Sequence, residues 1–254
     1  MTSTFTLGGD LEVRRLGFGA MRITGKGIWG PPDDPQACRR LLRRVVELGI
    51  NLIDTADSYG PEVSENLIAE ALHPYPDGLV IATKGGLRRT GPGQWPRDAH
   101  PERLRECIEG SLRRLRVDRI DLYQLHAPDP KVPLEDSLGA LRQAQDEGKI
   151  RHIGVSNVSV AELERARAVV DVVSVQNRFN LEDRHSEDVL QVCDRDGLGF
   201  IPWFPLGTGD LSPREAIPWL LGLSPVVLPI PGTSSIEHLE ENVAAAQIEL
   251  PTEG

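Results

Sequence analysis

The sequence predicts a (β/α)8 TIM barrel filling the chain as a single domain, residues 1–254. Three observations predict it. Eight short apolar runs recur along the chain, and amphipathic helical patterns lie between them at about thirty residues per unit. The runs are rich in Val, Ile and Leu without clean alternation, as in parallel strands buried on both faces. No glycine-rich phosphate turn follows the first run, where Gly17 and Gly19 lead into Ala20-Met21-Arg22, so an open doubly wound sheet is disfavoured.

In order, residues 5–13 read as a hairpin around Gly8-Gly9-Asp10, placed to close the bottom of the barrel. The strands are expected at 16–19, 51–55, 79–83, 120–125, 152–156, 172–176, 200–204 and 226–230. Cys38, Leu41, Leu42, Val45, Val46 and Leu48 share one face of the first helix, and Gly49 stops it. Leu104, Ile108, Ser111, Leu112 and Leu115 repeat that spacing in the third helix, and Leu134, Leu138, Leu141 and Ala144 in the fourth. The seventh unit is short: Trp203-Phe204-Pro205-Leu206-Gly207 runs almost directly into a helical pattern from Ser212, where Pro218 removes a backbone donor and is expected to kink it.

Composition narrows the function. A net charge of −10 argues against nucleic-acid and anionic-membrane partners, which demand clustered Lys and Arg. Cys38, Cys107 and Cys193 are widely spaced, with no disulfide framework or metal set, and read as core fillers. No leader-like start or long apolar span is visible, so a cytoplasmic location is expected, as a monomer or weak homo-oligomer.

Chemistry in such barrels gathers at the C-terminal ends of the strands. Those ends carry Asp54, with Tyr59 five residues on, then Lys84, His126, Ser156-Asn157, Gln176 and Trp203. A buried Lys84 stays cationic if Asp54 offsets its desolvation. A phenol beside that ammonium is expected to have its acidity raised from a pKa near ~10 toward working pH. Tyr59 could then protonate a carbonyl oxygen that His126 holds by a hydrogen bond.

These residues resemble the aldo-keto reductase family. The likeness runs through Gly49-Ile50-Asn51-Leu52-Ile53-Asp54-Thr55-Ala56-Asp57-Ser58-Tyr59-Gly60 and Ile81-Ala82-Thr83-Lys84. It continues through Asp118–His126, Gly148–Asn157, Ile230-Pro231-Gly232-Thr233 and Leu239-Glu240-Glu241-Asn242. The resemblance implies NADP(H)-dependent reduction of an aldehyde or ketone, with NAD(H) as the alternative cofactor. It implies a catalytic tetrad of Asp54, Tyr59, Lys84 and His126, with Tyr59 as proton donor. Ser156, Asn157 and Gln176 match the residues that hold the nicotinamide carboxamide, and Trp203 an aromatic ring on the nicotinamide face. Gly19, Ala20 and Met21 line the mouth, and Phe204, Pro205, Leu206 and Gly207 continue the cofactor-side segment after Trp203. Gly232, Thr233, Ser234, His238, Glu241 and Asn242 match the segment gripping the adenosine 2′-phosphate and adenine. No metal is implied.

The chain departs from the family in two places. Gly232 and His238 stand where many relatives place Lys and Arg, leaving Thr233, Ser234 and Ser235 at a helix N-terminus to meet phosphate. The resemblance also implies a loop over the pyrophosphate in the seventh unit and a C-terminal tail, both shortened here, so weaker cofactor retention and a permissive pocket are expected. Residues 28–32 and 231–235 resemble a bacterial subgroup that includes pyridoxal reductases, making pyridoxal a candidate substrate beside methylglyoxal. The alternatives are a non-catalytic nucleotide sensor, disfavoured by the intact tetrad, and a Schiff-base aldolase using Lys84, disfavoured by the carboxylate beside that lysine.

Overall fold

The computed structural model describes residues 3–207 and 211–248. Thr4–Leu7 (β1) and Leu11–Arg14 (β2) pair antiparallel with Leu7 opposite Leu11. Gly8 and Gly9 make that turn at φ +58 and +82, a region glycine enters without steric cost. Leu7, Leu11 and Val13 pack on Leu52, Val80 and Leu122, which lie at or near the starts of barrel strands. The hairpin thus closes the N-terminal end, as expected.

Seven parallel strands follow in chain order: Phe18–Gly19 (β3), Leu52–Asp54 (β4), Val80–Gly85 (β5), Ile120–Leu125 (β6), Ile150–Ser156 (β7), Val172–Gln176 (β8) and Gly199–Phe200 (β9). Two expectations need correction. The strand anticipated at 200–204 ends at Phe200, because Pro202 and Pro205 lack the N–H that a ladder needs, although Trp203 N–H still donates to Asn177 O at 3.0 Å. The eighth strand, anticipated at 226–230, is not formed as one.

That segment nevertheless closes the barrel. On one side Phe200 N–H donates to Val226 O and Leu228 N–H to Phe200 O, each at 2.8 Å. On the other, Gly17 N–H donates to Pro229 O at 2.9 Å and Gly19 N–H to Pro231 O at 3.4 Å. Pro229 and Pro231 can accept but not donate, so the ladder to β3 is half made.

The helices are Pro35–Glu47 (α1), Val63–Leu72 (α2), Pro101–Leu115 (α3), Leu134–Asp146 (α4), Val160–Arg167 (α5), Glu187–Asp196 (α6), Pro213–Leu223 (α7) and Ile236–Ala245 (α8). Asp34 caps α1 by accepting from Ala37 N–H, and Gly49 follows its end at φ +84. Cys38, Leu41, Leu42 and Val45 bury the anticipated face, as do Leu134, Leu138, Leu141 and Ala144 in α4. Truncating any of these leucines to Ala would cost roughly 2–5 kcal/mol. Pro218 is buried inside α7. The shortened loop falls partly on residues 208–210 and the chain end on 249–254, both outside the described residues. Among the described residues no helix is long and apolar enough to cross a membrane.

Candidate active site

Parallel pairing brings the polar strand ends to one level. Gly19 pairs with Asp54, Lys84 with Gln124 and Ser156 with Gln176. Of these, Gly19, Asp54, Ser156 and Gln176 line a cleft of about 410 Å³ at the C-terminal end of the sheet.

Lys84 is fully buried, and its ammonium donates to Asp54 Oδ1 at 2.6 Å, Thr55 O at 2.8 Å and the Tyr59 hydroxyl at 3.4 Å. Three donors thus meet three acceptors. The second carboxylate oxygen of Asp54 accepts from Gln176 Nε2 at 2.8 Å and Gln124 Nε2 at 3.1 Å. Burial works against the Lys84 cation, but Asp54 and Tyr59 more than offset it and raise its pKa. The anticipated charged lysine is therefore formed.

Tyr59 behaves otherwise. Burial pushes its phenol above the ordinary value, and the pull of Lys84 only partly offsets that. The expected acidification is not realised: desolvation of a phenolate outweighs one ammonium 3.4 Å away. Tyr59 is thus held as a neutral phenol with its proton in place.

His126 follows β6, and burial, with Lys84 nearby, holds its pKa well below the usual imidazole range. The ring is neutral, edge-on to Tyr59 with centroids 6.0 Å apart, and its Nδ1 lies 3.4 Å from Ser58 Oγ. Asn157, at φ +59, donates from Nδ2 to His126 O at 2.9 Å and accepts the Trp203 indole N–H at 3.1 Å. Ser156 Oγ donates to Gln176 O at 2.6 Å. Gln176 and Ser156 are therefore engaged within the barrel as well as lining the cleft.

Of the anticipated cofactor residues, Gly19, Met21, Ser156, Asn157 and Gln176 line the cleft, as do Trp203 to Gly207 and Gly232. Ala20 is buried behind it, with its carbonyl accepting from Ser64 Oγ at 3.0 Å. A Cβ on Gly232 would sit 2.6 Å from Gly19 O, so only glycine permits this approach of two backbones. Ser235 caps α8 through His238 N–H, and Thr233 Oγ1 accepts from Ser235 N–H at 3.0 Å. Ser234, His238 and Glu241 are exposed beside that helix start. Asn242 is buried, and its Oδ1 has no hydrogen-bond partner. The helix start and the glycine approach suit the anionic phosphates of a nucleotide, and the buried orphan acceptor of Asn242 suits a donor group on it.

Several residues lining the cleft or buried behind it escaped the sequence reading of the site. Arg22, beside Gly232, is exposed and makes no ion pair among the described residues. Ile28, Leu87 and Trp95 form apolar wall, with Trp95 edge-on to Tyr59 at 6.3 Å. Ile28 and Phe204 sit at φ +55 and +54, costing about 1–3 kcal/mol each and marking strain stored at the cleft. Asp57, two residues before Tyr59, is buried with Oδ1 unpartnered, and burial, then Glu65, raises its pKa to about 7. Glu65 is itself tied to Thr83 Oγ1 and to Arg114 Nε at 2.6 Å. No local spacing announces these roles, since each depends on what folds against it.

The geometry defines a barrel with a Tyr–Lys–Asp–His constellation at its mouth. The aldo/keto reductase family model matches residues 15–218, and the chain belongs to that family. It is 52% identical to an uncharacterized oxidoreductase of Schizosaccharomyces pombe, across 96% of this chain and 85% of that one. It is 38% identical to pyridoxine 4-dehydrogenase of Escherichia coli, across 99% of this chain and 96% of the relative. Among solved structures, an aldo-keto reductase from Klebsiella pneumoniae in complex with NADPH superposes with a TM-score of 0.84. That likeness has 26% identity and covers 100% of this chain and 92% of the other.

Proposed function

We propose that the protein is an NADP(H)-dependent oxidoreductase that reduces an aldehyde or ketone to an alcohol, with Tyr59 as proton donor. The observation that carries this reading is the Tyr59 hydroxyl at the cleft, 3.4 Å from a lysine nitrogen that is itself tied to Asp54. NADPH, when bound, would supply the hydride that adds to the carbonyl carbon. Tyr59 Oη gives its proton to the carbonyl oxygen, and the neighbouring Lys84 ammonium stabilises the phenolate left behind. Asp54 keeps Lys84 charged, and Gln124 and Gln176 fix that carboxylate. The neutral His126 ring donates a hydrogen bond to the same oxygen and orients it. The negative charge that develops on that oxygen as the carbon becomes tetrahedral is thereby met by groups already in place.

Asn157 and Trp203, joined at 3.1 Å, form the platform for the nicotinamide, with Ser156 and Gln176 toward its carboxamide. Phe204, Pro205, Leu206 and Gly207 continue along the cleft, and Gly19 ends β3 where Ala20 and Met21 begin a 3-10 turn. Thr233, Ser234, His238, Glu241 and Asn242 cluster at α8 for the adenosine end, with Arg22 as the cation nearest Gly232. The 2′-phosphate then favours NADPH by a reduced margin, without the basic cluster of other relatives. The raised Lys84 keeps its nitrogen protonated, which disfavours a Schiff-base role.

The relationship to an enzyme named pyridoxine 4-dehydrogenase makes pyridoxal the substrate to test first. Loss of NADPH absorbance with pyridoxal, methylglyoxal and 4-nitrobenzaldehyde, repeated with NADH, tests the reading. Turnover with NADPH is expected. Tight cofactor binding without turnover of any carbonyl would favour the sensor instead, and a clear NADH preference would overturn the cofactor assignment.

A further inference from the structure

We propose that Arg89 is a positioning residue that builds the substrate wall of this cleft, and that the wall selects ring-bearing carbonyls over small aliphatic ones. The proposal rests on the carbonyl-reductase reading above.

The argument starts from where the Arg89 donors go. Arg89 is 9% exposed, and among the described residues every hydrogen bond it makes ends on a backbone carbonyl. Nε donates to Gln94 O at 3.0 Å, Nη1 to Ile28 O at 2.7 Å and Ser58 O at 3.2 Å, and Nη2 to Gly27 O at 3.1 Å and Gly91 O at 3.4 Å. A guanidinium has five N–H donors in one plane, and here five carbonyls from three separate loops receive them. No carboxylate is among its partners. Arg89 is thus committed to shaping backbone and is not offered to an anionic substrate.

Its faces are also used. The guanidinium carbon lies 3.6 Å from the centroid of Trp95 and 5.6 Å from that of Trp29. Trp95 in turn meets Tyr59 edge-on, its ring centroid 6.3 Å from that of the phenol. One side chain therefore ties the loop after β3 and the loop after β5 to the segment carrying the proton donor. The loop after β5 is itself a small hairpin, closed by bridges between Leu87 and Arg97 and between Gly91 and Gln94.

The loop after β3 needs this tie. Ile28 holds φ +55, a region β-branched residues avoid, and its carbonyl receives the shortest of the Arg89 bonds. That conformation sets Ile28 on the cleft beside Leu87 and Trp95. A flat ring gains area and stacking against such a wall, whereas a two- or three-carbon aldehyde gains little.

The test compares wild type, R89M, R89K and W95A. R89M is expected to raise KM for 4-nitrobenzaldehyde about tenfold and KM for methylglyoxal several times less. W95A should show the same discrimination, and R89M/W95A should lose less than the two single losses combined, because Arg89 and Trp95 share one stacking contact although Arg89 also holds Ile28. R89K should recover only part, since an ammonium has neither the planar fork nor the stacking face. Equal losses on both aldehydes, or additive losses in the double variant, would overturn the proposal. Near-ultraviolet circular dichroism reads the indole clamp without turnover: R89M should lose the wild-type band while keeping the far-ultraviolet spectrum. If wild type turns over no carbonyl, the functional reading fails, and this spectrum alone decides whether the clamp stands. An unchanged near-ultraviolet band in R89M would remove it. Should R89M fail to fold, the aldehyde discrimination of W95A decides the wall.

Discussion

Asp54 and Lys84 meet at 2.6 Å from adjacent barrel strands, both withdrawn from solvent. Each remaining valence is satisfied: Gln124 and Gln176 donate to the carboxylate, and Thr55 O and Tyr59 accept from the ammonium. The pair is a buried charge network complete in itself, and Tyr59 is its outlet to the cleft.

Tyr59→Phe keeps the ring and removes the proton. General acid assistance is worth about 10²–10⁴ in rate, so kcat for carbonyl reduction should fall within that range. NADPH affinity, read by quenching of tryptophan fluorescence, should change little. A variant that retains most of its turnover would show that the proton comes from elsewhere.

Asp54→Asn strands the Lys84 ammonium in a buried site. Breaking one side of a buried ion pair costs about 3–5 kcal/mol, a loss that urea unfolding would register. The double variant D54N/K84M removes both charges and should recover much of that stability while remaining inactive. A double variant no more stable than D54N would argue that the pair is not desolvated in solution.

Asp57 supplies a pH dependence. Its folded pKa is raised from 3.8 to about 7, by burial first and then by Glu65, so the folded state binds its proton more tightly than the unfolded chain. Its contribution is fully present below about pH 4 and is lost as pH rises to about 7. One pH unit of offset corresponds to about 1.4 kcal/mol, so the loss amounts to a few kcal/mol. Measured against D57N, which cannot titrate there, wild type should lose ground steadily over that window. Parallel stability curves for the two proteins would contradict the assignment.

Arg22 should bind cofactor phosphate. A charge-assisted hydrogen bond contributes about 1.5–3 kcal/mol, so Arg22→Ala should weaken NADPH binding roughly tenfold or more. The remaining affinity should also depend less on ionic strength. Fluorescence titrations at two salt concentrations would separate this from a general loss of the cleft, which would leave the salt dependence unaltered.

The primary structure by itself determined the alternation of strands and helices and the identity of the polar residues at strand ends. Both are local properties: uninterrupted Val, Ile and Leu runs mark two-sided burial, and the Asp54–Tyr59 and Thr83-Lys84 segments sit where such runs stop. It also located Gly8-Gly9 as a turn and Thr233 to Ser235 at a helix start, because turns and helix starts depend on few neighbours.

Tertiary structure decided the rest. Whether residues 226–230 make a strand depended on the donors that β3 would need from Pro229 and Pro231, a relation between segments some two hundred residues apart in sequence. The Tyr59 phenol went up in pKa and not down, because everything packed around it strips away solvent whereas its lysine neighbour is one charge. Nothing local in the sequence singles out Arg89. Only the folding of three loops around it turns its five donors into backbone anchors, since hydrogen-bond partners distant along the chain become neighbours only when the barrel closes.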